Sequence, residues 1–140
     1  MRVVLDSNVI VAAFAARGIC AALFEHCIEN HEVVVCAEIL AEVERTLVRK
    51  VGAPRAVVRD VLAYLRSDAE VVVPADVDPG ACRDRTDLPV LGAAIAGQCS
   101  FLITGDAALL SVGKHRKVSI VSPRAFWEKM KRGKPRGRRP

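Results

Sequence analysis

The sequence predicts an α/β fold, a three-layer α/β/α sandwich with a central parallel sheet of about five strands. Short β-branched runs alternate along the chain with segments of helical periodicity, and this order is typical of parallel sheets covered on both faces. At 140 residues and 51% apolar, the chain suits one domain with a sizeable core. We expect residues 1–128 to form that domain and residues 129–140 to form a basic tail.

Five apolar runs predict the strands. They span residues 2–5, 32–36, 70–73, 101–104 and 118–121. Apolar residues at helical spacing fill the intervals, with a break near Gly18, a stop at Gly52 and Pro54, and helix starts at Pro89 and Pro123. Because a helix separates most consecutive strands, the carboxyl ends of the strands are expected to point to the same edge of the sheet.

The net charge of +5 is concentrated in the tail. Residues 129–140 hold seven of the 21 basic residues and no acidic one, which leaves 14 basic against 16 acidic residues elsewhere. Glycines, prolines and like charges predict that the tail is disordered when free. It either contacts RNA, through residues such as Lys131 and Arg132, or only aids solubility. Lys114, Arg116 and Lys117 form a second group that could neutralise nucleic-acid phosphates.

The start of the chain and its cysteines favour a cytoplasmic protein that does not span a membrane. Asp6 interrupts the first apolar run too early for a signal peptide or a membrane helix. The five cysteines are odd in number and include no Cys-x-x-Cys pair, so reduced thiols are expected. His26, Cys27 and His31 lack the second ligand pair that a zinc site normally has.

Four acidic side chains, each where a strand ends or a helix begins, are the candidate catalytic residues. They are Asp6, Glu42, Asp87 and Asp106. Ligands bind outside the carboxyl ends of strands in open parallel sheets, so acids from distant segments can meet there around a hard divalent cation. Each aspartate also precedes a predicted helix and could act only as an N-cap. Periodicity does not separate Glu42 from Glu38 and Glu44 on the same helix.

Small polar groups accompany two of these acids. Ser7 and Asn8 follow Asp6, and Thr104 stands two residues before Asp106. Such groups can orient a carboxylate or a water molecule beside it. Their presence favours metal binding by these acids over a role as isolated helix caps.

Four segments of the chain together resemble the PIN domain. They are Leu-Asp-Ser-Asn-Val at 5–9, the helix Glu-Ile-Leu-Ala-Glu-Val-Glu-Arg-Thr-Leu at 38–47, Asp-Arg-Thr-Asp-Leu-Pro-Val-Leu-Gly-Ala-Ala at 84–94, and Phe-Leu-Ile-Thr-Gly-Asp-Ala-Ala-Leu-Leu at 101–110. The resemblance covers residues 1 to about 128 and is greatest to the VapC-type toxins of toxin–antitoxin pairs. It implies an α/β/α sandwich, a Mg²⁺- or Mn²⁺-dependent ribonuclease, a homodimer and a small antitoxin partner.

The resemblance also implies the roles of individual residues. The four candidate acids match the family's motif acids by position, and Asp84 matches an additional acid often found upstream. Ser7 stands where threonine is commoner, although the hydroxyl is kept. Arg85 and Thr86 replace an acidic or proline-rich filler, and Leu88-Pro89 is unusual. The surroundings of Asp87 therefore depart most from the family pattern.

Three functions remain open at this point. The leading one is a metal-dependent endoribonuclease whose products, by family resemblance, carry a 5′-phosphate and a 3′-hydroxyl. A second is a non-catalytic RNA- or protein-binding module of the same fold, in which the acids are structural. A third, a haloacid-dehalogenase-like phosphatase, requires a second aspartate two residues after the first, where this chain has Asn8. The apolar faces of the helix pair at 37–67 fit either the core or an interface with a partner.

Overall fold

A six-stranded sheet is the middle layer of the computed structural model, which describes residues 1–16 and 18–133. The strands are β1 Arg2–Leu5, β2 Glu32–Cys36, β3 Glu70–Val72, β4 Phe101–Ile103, β5 Lys114–His115 and β6 Val118–Val121. Their order is β3-β2-β1-β4-β6-β5, and every neighbouring pair is parallel except β5 and β6. The predicted fold class is confirmed, with six strands instead of about five.

Helices cover both faces of the sheet. They are α1 Ser7–Ala15, α2 Ile19–Asn30, α3 Ala37–Thr46, α4 Arg55–Asp68, α5 Leu88–Ala96, α6 Ala107–Val112 and α7 Pro123–Gly133. A π-helical turn, Leu47–Val51, extends α3, and two 3₁₀ turns, Pro79–Ala81 and Arg85–Asp87, precede α5. In β1, Val3, Val4 and Leu5 are each 0% exposed, so this part of the strand is covered on both faces.

The additional strand lies at Lys114 and His115, outside the five strands that the sequence predicted. Lys114 pairs with Ser119 and His115 with Val118 in an antiparallel hairpin, and Arg116 takes a left-handed turn conformation with φ of 55°. A two-residue charged strand has no apolar alternation, so its sequence does not show a strand pattern. Its pairing depends on the tight turn and on the free edge of β6.

The last helix extends past the boundary predicted at residue 128. Phe126 is fully buried, and Trp127 and Met130 pack partly against the core. This spacing of three and four residues continues the apolar face of α7, so residues 129–133 are helical although they were expected in a disordered tail. Residues 134–140 of that tail lie outside the described part of the chain.

A close contact fixes α5 against the segment after β3. Gly92 lies where a Cβ atom would come within 2.9 Å of Pro74 Cβ and still closer to the carbonyl oxygen of Ala75. The Gly92 carbonyl in turn accepts a hydrogen bond of 3.0 Å from the Ala75 backbone N–H. This contact holds in place the helix that begins next to Asp87.

No single helix in residues 1–16 and 18–133 has the length and apolar character needed to cross a membrane, while α1 and α2 meet that test only as a sharply bent pair. The five cysteines are free thiols, and four of them are buried.

Candidate metal centre

Three aspartates converge at the carboxyl edge of the sheet. One carboxylate oxygen from each of Asp84, Asp87 and Asp106 lies within 4.8 Å of the corresponding oxygens of the other two. Asp106 follows β4 and caps α6, whereas Asp84 caps the 3₁₀ turn before α5 and Asp87 is the last residue of that turn. In an octahedral Mg²⁺ site adjacent ligands are about 2.9 Å apart and opposite ligands about 4.2 Å apart, so the three oxygens would move closer together to bind one ion.

A cavity of about 740 Å³ surrounds the trio, and all five predicted metal ligands line it. Its acidic lining residues are Asp6, Glu38, Glu42, Asp84, Asp87 and Asp106. Asp6 and Glu42 thus share the cavity but lie outside the closest group of three. The structure also separates the glutamates of α3, because Glu38 and Glu42 face the cavity, whereas Glu44 lines a different cleft with Val48 and Leu62.

The buried Asp6 carboxylate joins the ends of β1 and β4. Its Oδ2 atom accepts hydrogen bonds from Thr104 Oγ1 at 2.7 Å and Asn8 Nδ2 at 3.4 Å, and its Oδ1 atom accepts one from the Ser7 backbone N–H at 2.8 Å. Thr104 Oγ1 also accepts a hydrogen bond of 2.9 Å from the backbone N–H of Asp106. The residues predicted to support the site, Ser7, Asn8 and Thr104, therefore all bond to Asp6, and Thr104 also links Asp6 to the backbone of Asp106.

Helix capping and metal binding are compatible here. Asp106 Oδ2 accepts from the Leu109 N–H at 3.0 Å, and Asp84 Oδ1 accepts from the N–H and hydroxyl of Thr86 at 3.0 and 2.8 Å. Each of these caps engages one carboxylate oxygen and leaves the other available. Asp87 occupies the cap position of α5, but its side chain accepts no capping hydrogen bond from the helix. Capping therefore explains part of the role of Asp84 and Asp106 but not that of Asp87.

The acids in this cavity disfavour one another's charge. Burial, together with the neighbouring carboxylate of Asp106, raises the pKa of Asp87 to about 7. Burial likewise raises the pKa of Asp6, against the hydrogen bonds from Thr104 and Ser7 that favour its ionised form. Hydrogen bonds from Thr86 lower the pKa of the exposed Asp84. A bound cation would relieve this accumulation of negative charge.

Glu42 lines the cavity but its carboxylate is bonded to neighbours on its own helix. Its carboxylate forms an ion pair with Arg45 and accepts a hydrogen bond of 3.4 Å from Thr46 Oγ1. Both side chains of the ion pair are about half exposed, at 48% for Glu42 and 50% for Arg45. An exposed pair of this kind contributes little stability, so moving the Glu42 carboxylate away from Arg45 would cost little free energy.

The basic residues predicted to bind nucleic acid lie at the other edge of the sheet. They are Lys114, Arg116, Lys117, Lys131 and Arg132. The first three lie in the hairpin beside Val118, which is the first residue of β6 and marks the amino edge of the sheet. The last two follow Lys129, whose Nζ lies 6.0 Å from the ring of Phe101, the first residue of β4. The acids occupy the carboxyl edge, so the two groups do not meet within one chain.

Two basic residues that the sequence analysis did not select line the acidic cavity. They are Arg45 and Lys50. Arg45 follows Glu42 by three residues, and that helical spacing was the available signal. Lys50 has no such signal, because its direction depends on the π-helical turn after α3. Thr86 also lines the cavity and was considered only as a departure from the family pattern.

Comparisons with known proteins agree with the fold and with the resemblance of the sequence. A crystal structure of VapBC2 from Rickettsia felis bound to a DNA fragment from their promoter has a similar fold, with a TM-score of 0.60 at 15% sequence identity. The match covers 87% of this chain and 98% of that chain. No curated protein sequence matches this chain significantly. A family model described as the PIN domain matches residues 2–108, and the chain therefore belongs to the PIN-domain family.

Proposed function

We propose that this protein is a Mg²⁺- or Mn²⁺-dependent endoribonuclease that acts as the toxin of a toxin–antitoxin pair. The observation that supports this most is the approach of Asp84, Asp87 and Asp106 to within 4.8 Å of one another in an open cavity. Membership of the PIN-domain family supports the same conclusion. A phosphatase of the haloacid-dehalogenase type would need a second aspartate at position 8, where this chain has Asn8.

The donor set fits a hard divalent cation. Carboxylate oxygens are the ligands that Mg²⁺ and Mn²⁺ prefer, and no thiol or imidazole belongs to this group of three. Burial, and after it the neighbouring Asp106, raises the pKa of Asp87, and a bound cation would favour its ionised form. We infer that Asp84, Asp87 and Asp106 hold the Mg²⁺ or Mn²⁺ ion.

Hydrolysis of a phosphodiester brings an anionic phosphate and a nucleophile together. A divalent ion, when bound, neutralises that charge and lowers the pKa of a water molecule. The chain supplies the positioning: Thr104 and Asn8 orient Asp6, and Thr104 fixes the backbone of Asp106. Glu42, in the cavity wall, would complete the ligand set or orient the attacking water.

The partners follow from the same proposal. The R. felis structure of similar fold is a complex of two proteins named VapBC2, which supports a small antitoxin partner for this chain. Exposed valines lie on the π-helical turn, at Val48 and Val51, and on α4, at Val57, and they suit a homodimer or an antitoxin contact. An RNA substrate and unpaired cysteines are consistent with a cytoplasmic location.

Cleavage of a pooled RNA tests the activity. The wild type, Asp6→Asn, Asp106→Asn and the exposed control Asp60→Asn would be incubated with Mn²⁺ or EDTA, and the product ends would be mapped. We expect cleavage by wild type and control only with Mn²⁺, with 5′-phosphate ends, and at least a hundredfold loss in the two site variants. Cleavage in EDTA, or by a folded Asp6→Asn or Asp106→Asn protein, contradicts the proposal.

A non-catalytic binding module is the second candidate, because Asp6, Asp84 and Asp106 do accept capping hydrogen bonds. Under that alternative, Asp106→Asn lowers the free energy of unfolding by about 1 kcal/mol and leaves the response to Mn²⁺ unchanged. Calorimetric titration of folded wild type and Asp106→Asn with Mn²⁺ separates the two candidates. The nuclease proposal requires that the variant binds Mn²⁺ more weakly.

A further inference from the structure

The cavity that holds the acidic trio carries its positive charge on one wall. Six acidic side chains line the cavity, and Arg45 and Lys50 are its basic lining residues. A nucleic acid that approaches this cavity meets strong repulsion, which a single divalent ion would offset only in part. Positive side chains next to the ion are therefore needed to bind the flanking phosphates.

The π-helical turn determines which basic residue faces the cavity. Successive residues of an α-helix are about 100° apart, so a regular continuation of α3 would direct Arg49 within about 20° of Glu42 and Lys50 about 80° away. In a π-helical turn the step is only about 80° per residue, because each N–H bonds to the carbonyl five residues earlier. Lys50 then lies within about 10° of the direction of Glu42, and Arg49 lies roughly 80° away.

The hydrogen bonds and the cavity lining agree with this direction. The Gly52 N–H donates to the carbonyl of Leu47, five residues earlier, and Gly52 has φ of 72°, a left-handed conformation that glycine adopts without strain. Lys50 lines the acidic cavity, whereas Arg49, its exposed neighbour, does not. π-Helical turns are rare and occur often at functional sites. This turn therefore places a positive charge on the cavity wall.

Arg45 provides the second positive group. Its guanidinium pairs with Glu42 in a contact that is about half exposed on both sides. A planar guanidinium can bind two phosphate oxygens at once, and a phosphate can compete for it when the existing pair is exposed and weak. If Glu42 turns towards the bound ion, Arg45 becomes available to the RNA.

We propose that Arg45 and Lys50 bind the RNA backbone phosphates beside the scissile bond, a role that rests on the nuclease function proposed above. The basic hairpin at Lys114 and Arg116 lies at the opposite edge of the sheet and does not supply this contact in the same chain. The contact is made to phosphates, so it strengthens binding of any RNA sequence.

The salt dependence of RNA binding tests this proposal without relying on cleavage. A fluorescein-labelled oligouridylate would be titrated with the full-length wild type and with variants in Ca²⁺, over a series of NaCl concentrations, by fluorescence anisotropy. The variants are Lys50→Gln, Arg45→Gln and Arg45→Lys, with Arg49→Gln as the matched control on the same turn. All are at exposed positions, and thermal unfolding checks that each is folded.

Each lost phosphate contact should lower the slope of log Kobs against log salt concentration by about 0.7 for a single strand. We expect that decrease for Lys50→Gln and for Arg45→Gln, the wild-type slope for Arg49→Gln, and a nearly wild-type slope for Arg45→Lys, which keeps the charge. Equal slopes for Lys50→Gln, Arg45→Gln and Arg49→Gln would overturn the proposal. So would a wild type with no salt-dependent RNA binding.

This result is independent of the test of the nuclease activity. A wild type that binds RNA through Arg45 and Lys50 but does not cut it with Mn²⁺ would refute the nuclease function and leave the phosphate contacts standing. A wild type that cuts RNA while Lys50→Gln and Arg45→Gln behave like Arg49→Gln would refute the contacts alone.

Discussion

Replacing Asp87 by asparagine should stabilise the metal-free protein and weaken its binding of Mn²⁺. In the folded protein, burial and the neighbouring Asp106 raise the pKa of Asp87 from its ordinary 3.8 to about 7. As the pH rises from about 4 to about 7, the unfolded chain loses this proton before the folded protein does, so the stability of the wild type falls over that range. Asparagine removes this loss because it does not titrate.

The magnitude follows from the size of the pKa difference. A change from 3.8 to about 7 corresponds to at most about 4 kcal/mol. Asp87 faces an open cavity where water screens its neighbours, so we expect about 1 to 2 kcal/mol above about pH 7. For a chain of this length, that gain raises the melting temperature by about 3 to 7 °C.

Thermal unfolding in EDTA at about pH 5 and about pH 8 measures the effect, with Asp60→Asn on α4 as the exposed control. The gain from Asp87→Asn should be larger at the higher pH, by the linkage above. Added Mn²⁺ should then stabilise the wild type more than the variant, because it binds the folded wild type more tightly. A variant that is less stable than wild type at both pH values, with an unchanged response to Mn²⁺, would refute this reasoning.

Three further predictions follow from the same geometry. The Mn²⁺ affinity of the wild type should increase with pH up to about 7 and then level off, because a proton on Asp87 competes with the ion; a flat calorimetric profile would contradict this. Thr104→Val should lower the free energy of unfolding by about 1 to 3 kcal/mol, since Asp6 loses its buried donor, whereas Thr104→Ser should stay near wild type in chemical denaturation. Gly92→Ala should cost about 1 to 3 kcal/mol through the clash with the segment after β3, while Gly80→Ala, whose Cβ would lie 3.5 Å from its nearest neighbour, should be close to neutral. Equal stability of these two glycine variants would contradict the packing described here.

The sheet was predictable because its strands, apart from β5, consist largely of consecutive apolar residues, which are mostly buried in β1, β2 and β4. The strands at 2–5, 32–36 and 118–121 have the predicted bounds, and those at 70–73 and 101–104 are each one residue shorter. The strand at Lys114 and His115 was not predicted, because an edge strand of two residues is too short to show an apolar run or an alternating pattern. Met130 did carry a signal, at helical spacing from Phe126, but the charges around it pointed to a tail.

The acidic cavity was predictable from chain order and sheet direction. Asp6 and Asp106 each follow a buried strand, and parallel strands bring such residues to one edge. The approach of Asp84 to Asp87 depends on a 3₁₀ turn whose geometry the spacing alone does not determine. The prediction that Asp84 belongs to the site came from the family resemblance. Metal binding by these residues stays a prediction.

The basic wall of the cavity could not be predicted from the sequence. A pattern read at 3.6 residues per turn directs Arg49, and not Lys50, towards Glu42. The π-helical turn directs Lys50 towards Glu42 instead. In this turn Leu47 is buried in the core and Gly52 has a left-handed conformation. Such a turn is set by tertiary packing, which one sequence does not reveal.

Crystals soaked in Mn²⁺ and measured for anomalous scattering test most directly whether the aspartates bind a divalent ion. We predict an anomalous peak about 2.2 Å from carboxylate oxygens of Asp84, Asp87 and Asp106, with the other ligands drawn from water or the remaining cavity acids. A well-ordered structure with no peak in this cavity at saturating Mn²⁺, and with the three aspartates bonded only to their own backbone, would contradict the account.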